Sequence, residues 1–422
     1  MTRRICMKIS KLLLGASLAL GLSMAAQAAQ VEVLHWWTSG GEARSVAELK
    51  KMLEAKGHEW KDFAVAGGGG ESAMTVLKSR VVSGNPPAAA QIKGPSIQEW
   101  GDEGVLADLD SVANAEGWDK LLPGVVADVM KYQGKYVAVP VNVHRVNWLW
   151  ANPAVFKKAG ATVPTTWDEF FVAADKIKAA GMTAVAHGGQ PWQDATMFES
   201  VVLGVGGADF YKKAFVELDP KVLNSATMIK ALKTFHKIKG YTDAGSPGRD
   251  WNLATAMVIN GEAGMQFMGD WAKGEFTAAG KVPGIDYICI AAPDTEGDFT
   301  FNIDSFVMFD LDDKELQKGQ NDLASIILSP AFQEIFNLNK GSIPVRLNMP
   351  MDKFDGCAKL SAIDFVNTAE TNTLVPSMAH GMSTFPATQG AIYDTITEFY
   401  NSDSMTAETA AKKLVKAVAA AK

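Results

Sequence analysis

Hydrophobic spacing along the chain switches repeatedly between the two-residue period of strands and the three-to-four-residue period of helices, as it does in an α/β protein. The clearest switch is at Val31–Glu42, VEVLHWWTSGGE, where β-favouring residues pass through two tryptophans and a Gly-Gly turn. Helical spacing follows, with Val46, Leu49, Met52 and Leu53 on one face; Ser45 is the expected cap and Glu48, three residues on, completes a capping box. A loop between such a strand and helix lies at the carboxyl end of the strand, where α/β sheets usually hold ligands.

The same reading continues downstream. Asp62–Ala66 is an expected strand, and Gly67–Gly70 feeds a helix from Glu71. The glycine run lacks the Gly-Lys-Ser/Thr ending of a phosphate loop and fits close backbone approach at a cleft rim. Ala88–Ile92 is a strand ending at Lys93-Gly94-Pro95, and short helices and turns fill Ser96–Met130. In VAVPVNVHRVNWLWAN, Pro140 argues against a central strand and fits a crossing between domains. Asn152-Pro153 starts a helix, Thr165 or Thr166 caps another, and Met182–Ala186 is a strand leading to the loop that holds His187 and Trp192. Met197–Lys239 has helical stripes, Trp251–Asn260 is a helix, and Gly264–Met268 is a strand ending in Gly269-Asp270-Trp271. Tyr287–Ala292 fits a second crossing, Phe306–Phe309 a strand, Asp322–Leu338 a helix running through Pro330, and Asn339–Val345 a third crossing.

Composition narrows what such a protein can do. Arg3, Arg4, Lys8 and Lys11 precede an apolar run, Leu12–Met24, and Ala26-Gln27-Ala28 has the form of a signal peptidase site, so residues 1–28 read as an export signal. Losing those four positive charges takes the formal charge from −7 to −11, which disfavours nucleic acid and anionic membrane as partners. The remaining length exceeds one ordinary core and suggests two or three domains. Only Cys289 and Cys357 remain after cleavage; an oxidising compartment would let them pair, and two such distant cysteines make no metal knuckle. Six histidines without an HExxH pattern give no metal site, and no cofactor is expected.

The export signal, the WW pair, TTWDEF, the Gly-Asp-Trp segment and the late Lys-Gly-Ser-Ile-Pro-Val together resemble the solute-binding proteins of carbohydrate ABC importers. The resemblance is to the maltose-binding-like class, and HWWTSGGE with its lysine and histidine pattern is most similar to Gram-negative glucose-binding proteins. It implies a two-lobed periplasmic binding protein fold of type II with three inter-lobe crossings. One lobe would comprise residues 29–142 and 292–341, the other residues 143–291 and 342–422. It also implies a periplasmic monomer that binds a monosaccharide, glucose first, and hands it to the importer's membrane subunits; a chemoreceptor role is compatible with the same cleft.

A pyranose has an apolar C–H face for aromatic rings and a rim of hydroxyls for charged and amide groups. Trp36 and Trp37 match the family's aromatic pair, and because neighbouring strand residues face opposite ways, one can be core while the other meets sugar. Glu42 is expected to accept from hydroxyls and Lys93 to donate, while Asn302 and Asp304, two residues apart, share a strand face. Lys340 and His380 match ligand residues of the related glucose binders, and Trp271 offers a surface from the second lobe. Glu42 could instead be a helix-start acid, Lys93 a solvated lysine, and Asn302 and Asp304 turn formers. Trp192 is a weaker candidate, and His35, His144 and His187 read as structural or surface groups. The rival class is a secreted glycosidase or lyase using Glu42 and Asp304, but flanking lysines favour two ionised carboxylates over the acid and base such chemistry needs. An oligosaccharide binder of the same class is the other alternative.

Overall fold

The computed structural model describes residues 29–422, so the export signal expected at 1–28 lies outside the described residues. Two hydrophobic cores organise the chain. The first lies under a five-stranded sheet in the order Glu59–Ala64, Gln30–His35, Ala89–Gln91, Ser305–Met308, Ala138–Pro140. Its first three strands run parallel, and Ser305–Met308 pairs antiparallel with both of its neighbours. Pro140 sits on the edge strand, where its missing N–H costs no ladder bond.

The second core surrounds a four-stranded sheet, Ile288–Ala291, Trp148–Ala151, Ala263–Phe267, Thr183–Val185, and the long helix Pro191–Phe215. Between the cores a three-stranded sheet joins Leu374–Pro376, Phe299–Asn302 and His144–Arg145, and Val143 bridges Ile343. The chain therefore passes between lobes at three neighbouring places, which is the two-lobed architecture of periplasmic binding proteins. Ile343, Val345, Phe354, Ala358 and Phe365 pack in the first core, although they follow the handover expected at 341/342.

Several element boundaries differ from the sequence reading for physical reasons. The helix Gly40–Ala55 begins five residues before the expected cap: Ser39 is the N-cap, and Ser45 is buried inside the helix, donating to the Gly41 carbonyl at 2.9 Å. The first turn carries two glycines and no apolar stripe, so periodicity becomes visible only after it. Pro330 divides the expected single helix into Lys314–Leu328 and Pro330–Lys340. It occupies the first helical position, where a missing N–H is harmless, and the Ser329 hydroxyl accepts from the Phe332 N–H. The strand Phe299–Asn302, absent from the sequence reading, is short and buried at every position, so it shows no alternation.

Cys289 and Cys357 form a disulfide with Cα atoms 6.2 Å apart. It joins the edge strand of the second sheet to the helix Gly356–Glu370, whose Ala358 and Phe365 pack in the first core.

Candidate functional site

The strand Gln30–His35 delivers Trp36 and Trp37 to the face between the two cores, and Glu42 follows in the first turn of the helix. Lys93 arrives just after the end of Ala89–Gln91. From the crossings come His144, Asn302, Asp304 and Lys340, and from the second lobe Trp251, Trp271 and His380. These side chains line one narrow cavity, together with Gly68. All nine residues singled out in the sequence, Trp36, Trp37, Glu42, Lys93, Trp271, Asn302, Asp304, Lys340 and His380, are thus brought together.

Asp304 is the electrostatic centre. Its Oδ2 accepts from His144 Nε2 at 2.9 Å and from Asn142 Nδ2 at 3.4 Å, and Oδ1 accepts from Gln91 Nε2 at 3.3 Å. Burial works against its charge, but His144, Lys340 and Lys93 overcome this and hold the carboxyl far below the usual carboxylate range. Burial also opposes charge on His144, and the carboxylates of Asp270 and Asp304, one on each side of the ring, raise its pKa instead. Glu42 accepts from Lys340 Nζ at 2.5 Å, and Lys340 and Lys93 stand 5.5 Å and 5.2 Å from the ring centroids of Trp37 and Trp36. Burial lowers the Lys93 pKa, with Asp304 pulling the other way.

The aromatic walls are equally fixed. Trp37 meets Phe306 edge-on at 5.5 Å and packs against Phe336, so it is both core and cavity wall. Trp271 is edge-on to His144 at 5.1 Å and to His380 at 4.7 Å. The glycine run closes over these rings. A Cβ on Gly68 would lie 2.9 Å from both Trp192 and Trp251, and one on Gly70, whose φ is +88°, would lie 3.0 Å from the Trp36 ring. The run therefore serves close approach, as its sequence suggested.

Asn302 ends its strand and Asp304 lies in the link to the next, so the two do not share the strand face that their spacing suggests, yet both reach the cavity. The buried Asn302 Oδ1 has no hydrogen-bond partner among the described residues. Such an orphan acceptor, beside ionised groups and flat rings, suits a ligand that donates hydroxyl hydrogens and presents an apolar face. The ion pairs place Asp304 and Glu42 as acceptors, which suits recognition of a ligand's hydroxyl groups. No cluster of three metal-ligating residues occurs among the described residues.

Three lining residues escaped the sequence reading as site residues. His144 reads as a structural histidine in the sequence, although its place in a crossing segment is a signal. Trp251 opens a helix without any motif, and the glycine run points Gly68 only to the rim. His35 and His187 are structural, bonded to Asp62 at 2.9 Å and Asp194 at 2.8 Å, and Trp192 packs behind His380 with centroids 5.9 Å apart.

Fold and site together define a two-lobed protein with a cavity of aromatic and charged side chains between its lobes. Residues 41–309 match the model of the bacterial extracellular solute-binding protein family, and the chain belongs to that family. Members bind solutes without converting them, so the chain is a binding protein and not an enzyme. It is 52% identical over 392 residues to a probable sugar-binding periplasmic protein of Brucella melitensis, covering 93% of this chain and 92% of that one. A probable sugar-binding periplasmic protein of Rhizobium meliloti is 51% identical over 407 residues, covering 96% and 98%. Among solved structures, a chitin oligosaccharide binding protein superposes with a TM-score of 0.79 at 18% identity, over 93% of this chain and 99% of that one. The solute receptor AcbH, described as preferring β-D-galactopyranose, gives 0.78 at 18% identity over 92% and 98%.

Proposed function

We propose that this chain is a periplasmic sugar-binding protein that captures a monosaccharide, glucose first, between its lobes and delivers it as a monomer to the membrane subunits of an ABC importer. The observation that carries the reading is the convergence on one cavity of four tryptophans, two carboxylates, two lysines, two histidines and one amide. Tryptophan faces supply the apolar contact for a pyranose, and the ionised and amide groups supply both donors and acceptors for its hydroxyls. The names of the Brucella and Rhizobium relatives support a sugar as the solute class and the periplasm as the compartment.

An oligosaccharide reading is favoured by a second pocket that adjoins the first through Trp36, Lys93 and His380 and continues along Glu71, Gln389 and Tyr393. Calorimetric titration with glucose, galactose, xylose and their oligosaccharides, followed by product analysis, separates the readings. Saturable monosaccharide binding with the sugar recovered unchanged is the expected result. Tight binding confined to longer sugars would replace the monosaccharide assignment, and silence toward the whole panel would end the sugar reading.

A further inference from the structure

Behind the cavity, the second lobe contains a buried carboxylate that binding as described does not use. Glu199 lies on the helix Pro191–Phe215 and is fully buried. Its hydrogen-bond partners are all neutral donors. Oε1 accepts from Ser377 Oγ at 2.7 Å, and Oε2 accepts from the Tyr211 hydroxyl at 2.7 Å, the Met378 N–H at 2.8 Å and the Ala379 N–H at 3.0 Å. The next residue in the chain is His380, which lines the cavity. Its backbone N–H donates to Ser377 Oγ at 3.0 Å, and its Nε2 lies 3.0 Å from Thr196 Oγ1, one helical turn before Glu199. The Tyr393 hydroxyl donates to the Ala379 carbonyl and secures the same segment from another helix.

We propose that Glu199 is a positioning residue for sugar binding: its carboxylate clamps segment 377–379 and thereby sets the His380 imidazole against the solute, which Glu199 itself does not touch. This rests on the sugar reading only for its effect on affinity; the clamp is a property of the protein without ligand.

The clamp is tightest in the ionised form. All four partners then donate to a charged acceptor; a proton on Oε1 makes Ser377 Oγ an acceptor, or one on Oε2 turns the Tyr211 hydroxyl to the Pro376 carbonyl 3.0 Å away, so protonation loosens the set without opening it. Burial pushes the Glu199 pKa up to about 7, against the pull of Ser377, Ala379, Tyr211 and Met378. Tyr211 and Tyr393 are the titratable groups facing it, and burial drives both well above the usual phenol value. His380 faces Lys93, His144, Asp304 and Lys340; burial, then Lys93 and His144, hold its pKa well below the ordinary value, so it stays neutral near pH 7. Affinity therefore weakens as pH falls from about 8 to about 6, through protonation of Glu199. Asp298, which burial pushes up to about 6 despite Arg145, titrates in the same window, so the test needs variants of Glu199.

The experiment measures D-glucose affinity by calorimetry across that pH range for the wild type, Glu199→Gln and Glu199→Leu. It also records the His380 imidazole signals by nitrogen-15 NMR in the sugar-free proteins. Glutamine can keep an oxygen toward Tyr211, Met378 and Ala379 and turn its amide N–H₂ to Ser377, so Glu199→Gln should bind within a few-fold of the wild type with the acid limb flattened. Glu199→Leu should shift the His380 signals and weaken binding by about 100-fold, the loss expected when several charge-assisted bonds go. Unchanged His380 signals in Glu199→Leu, or a wild-type pH slope in Glu199→Gln, would overturn the proposal. Should the leucine variant not fold, the slope in the glutamine variant decides. Shifted His380 signals with no glucose binding by the wild type would support the clamp while removing the glucose assignment.

Discussion

Asp304 and Glu199 are both carboxylates withdrawn from water, and they respond in opposite directions. Three cations, His144, Lys340 and Lys93, surround Asp304 and hold its carboxyl far below the usual range. Glu199 has no cation among its partners, only hydroxyl and amide donors, and burial raises its pKa to about 7. Dipoles reduce the cost of burying charge, but opposite charges are needed to reverse it. The carboxylate at the cavity wall is consequently held ionised by its cations, while the segment behind it is held by a group that titrates near pH 7.

The strongest way to break this contrast is Asp304→Ala. The substitution leaves His144, Lys340 and Lys93 without their shared anion, and the expected loss of stability is on the order of 3–5 kcal/mol in urea denaturation. Sugar affinity should fall by about 100-fold or more, since a charged acceptor is lost at the cavity wall. The sign with pH follows from the depressed native pKa: this contribution is present above the unfolded value near 3.8 and is lost as pH falls below it. Unchanged stability would mean that the cations do not offset the burial of Asp304.

The next effect is smaller and has the opposite sign. Glu199 has a raised native pKa, from 4.5 to about 7, so its contribution is favourable below the unfolded value and is lost as pH rises through the native one. Above about pH 7 the ionised group costs about 3 kcal/mol, from 1.36 kcal/mol per unit over the shift. Glu199→Gln should therefore be more stable than the wild type near pH 8 and lose the slope between about pH 4.5 and 7. Paired denaturant titrations at the two ends of that window measure it. A slope that survives in the glutamine variant would assign the titration to another group.

The two carboxylates also show what the sequence can reveal. Asp304 was legible through family resemblance, not through its spacing from Asn302, because the strand ends at Asn302; lysines at strand and helix ends completed the set. The two-lobed fold was legible for the same reason: crossings marked by Pro140 and by Gly-Ser-Ile-Pro-Val interrupt otherwise regular α/β spacing. Glu199 was invisible because it sits in an ordinary helical stripe between Phe198 and Val201, and its partners are 178–180 residues away in sequence, apart from Tyr211. His144 was discounted because a lone histidine carries no motif; its two aspartates, 126 and 160 residues distant, become neighbours only on folding. The first helix was misplaced for a local reason, since its Gly-Gly start resembles a turn until Glu42 is seen accepting from the Ser39 N–H at 3.4 Å.

His144→Gln gives the smallest expected change and sharpens the contrast most. Glutamine can reach Asp270 or Asp304 as a neutral donor, but it cannot place a positive charge between them. Lys93 and Lys340 remain, so Asp304 should stay ionised at neutral pH while its pKa rises toward the usual carboxylate range. Affinity should fall by about tenfold near pH 7, the worth of one charge-assisted bond. Its acid limb, which in the wild type lies far below the usual carboxylate range, should move up toward that range. Calorimetric titration over pH 4–7 reads both quantities in one series. If the variant keeps the wild-type affinity and acid limb, the two lysines alone hold Asp304, and the imidazolium between the lobes serves only to join them.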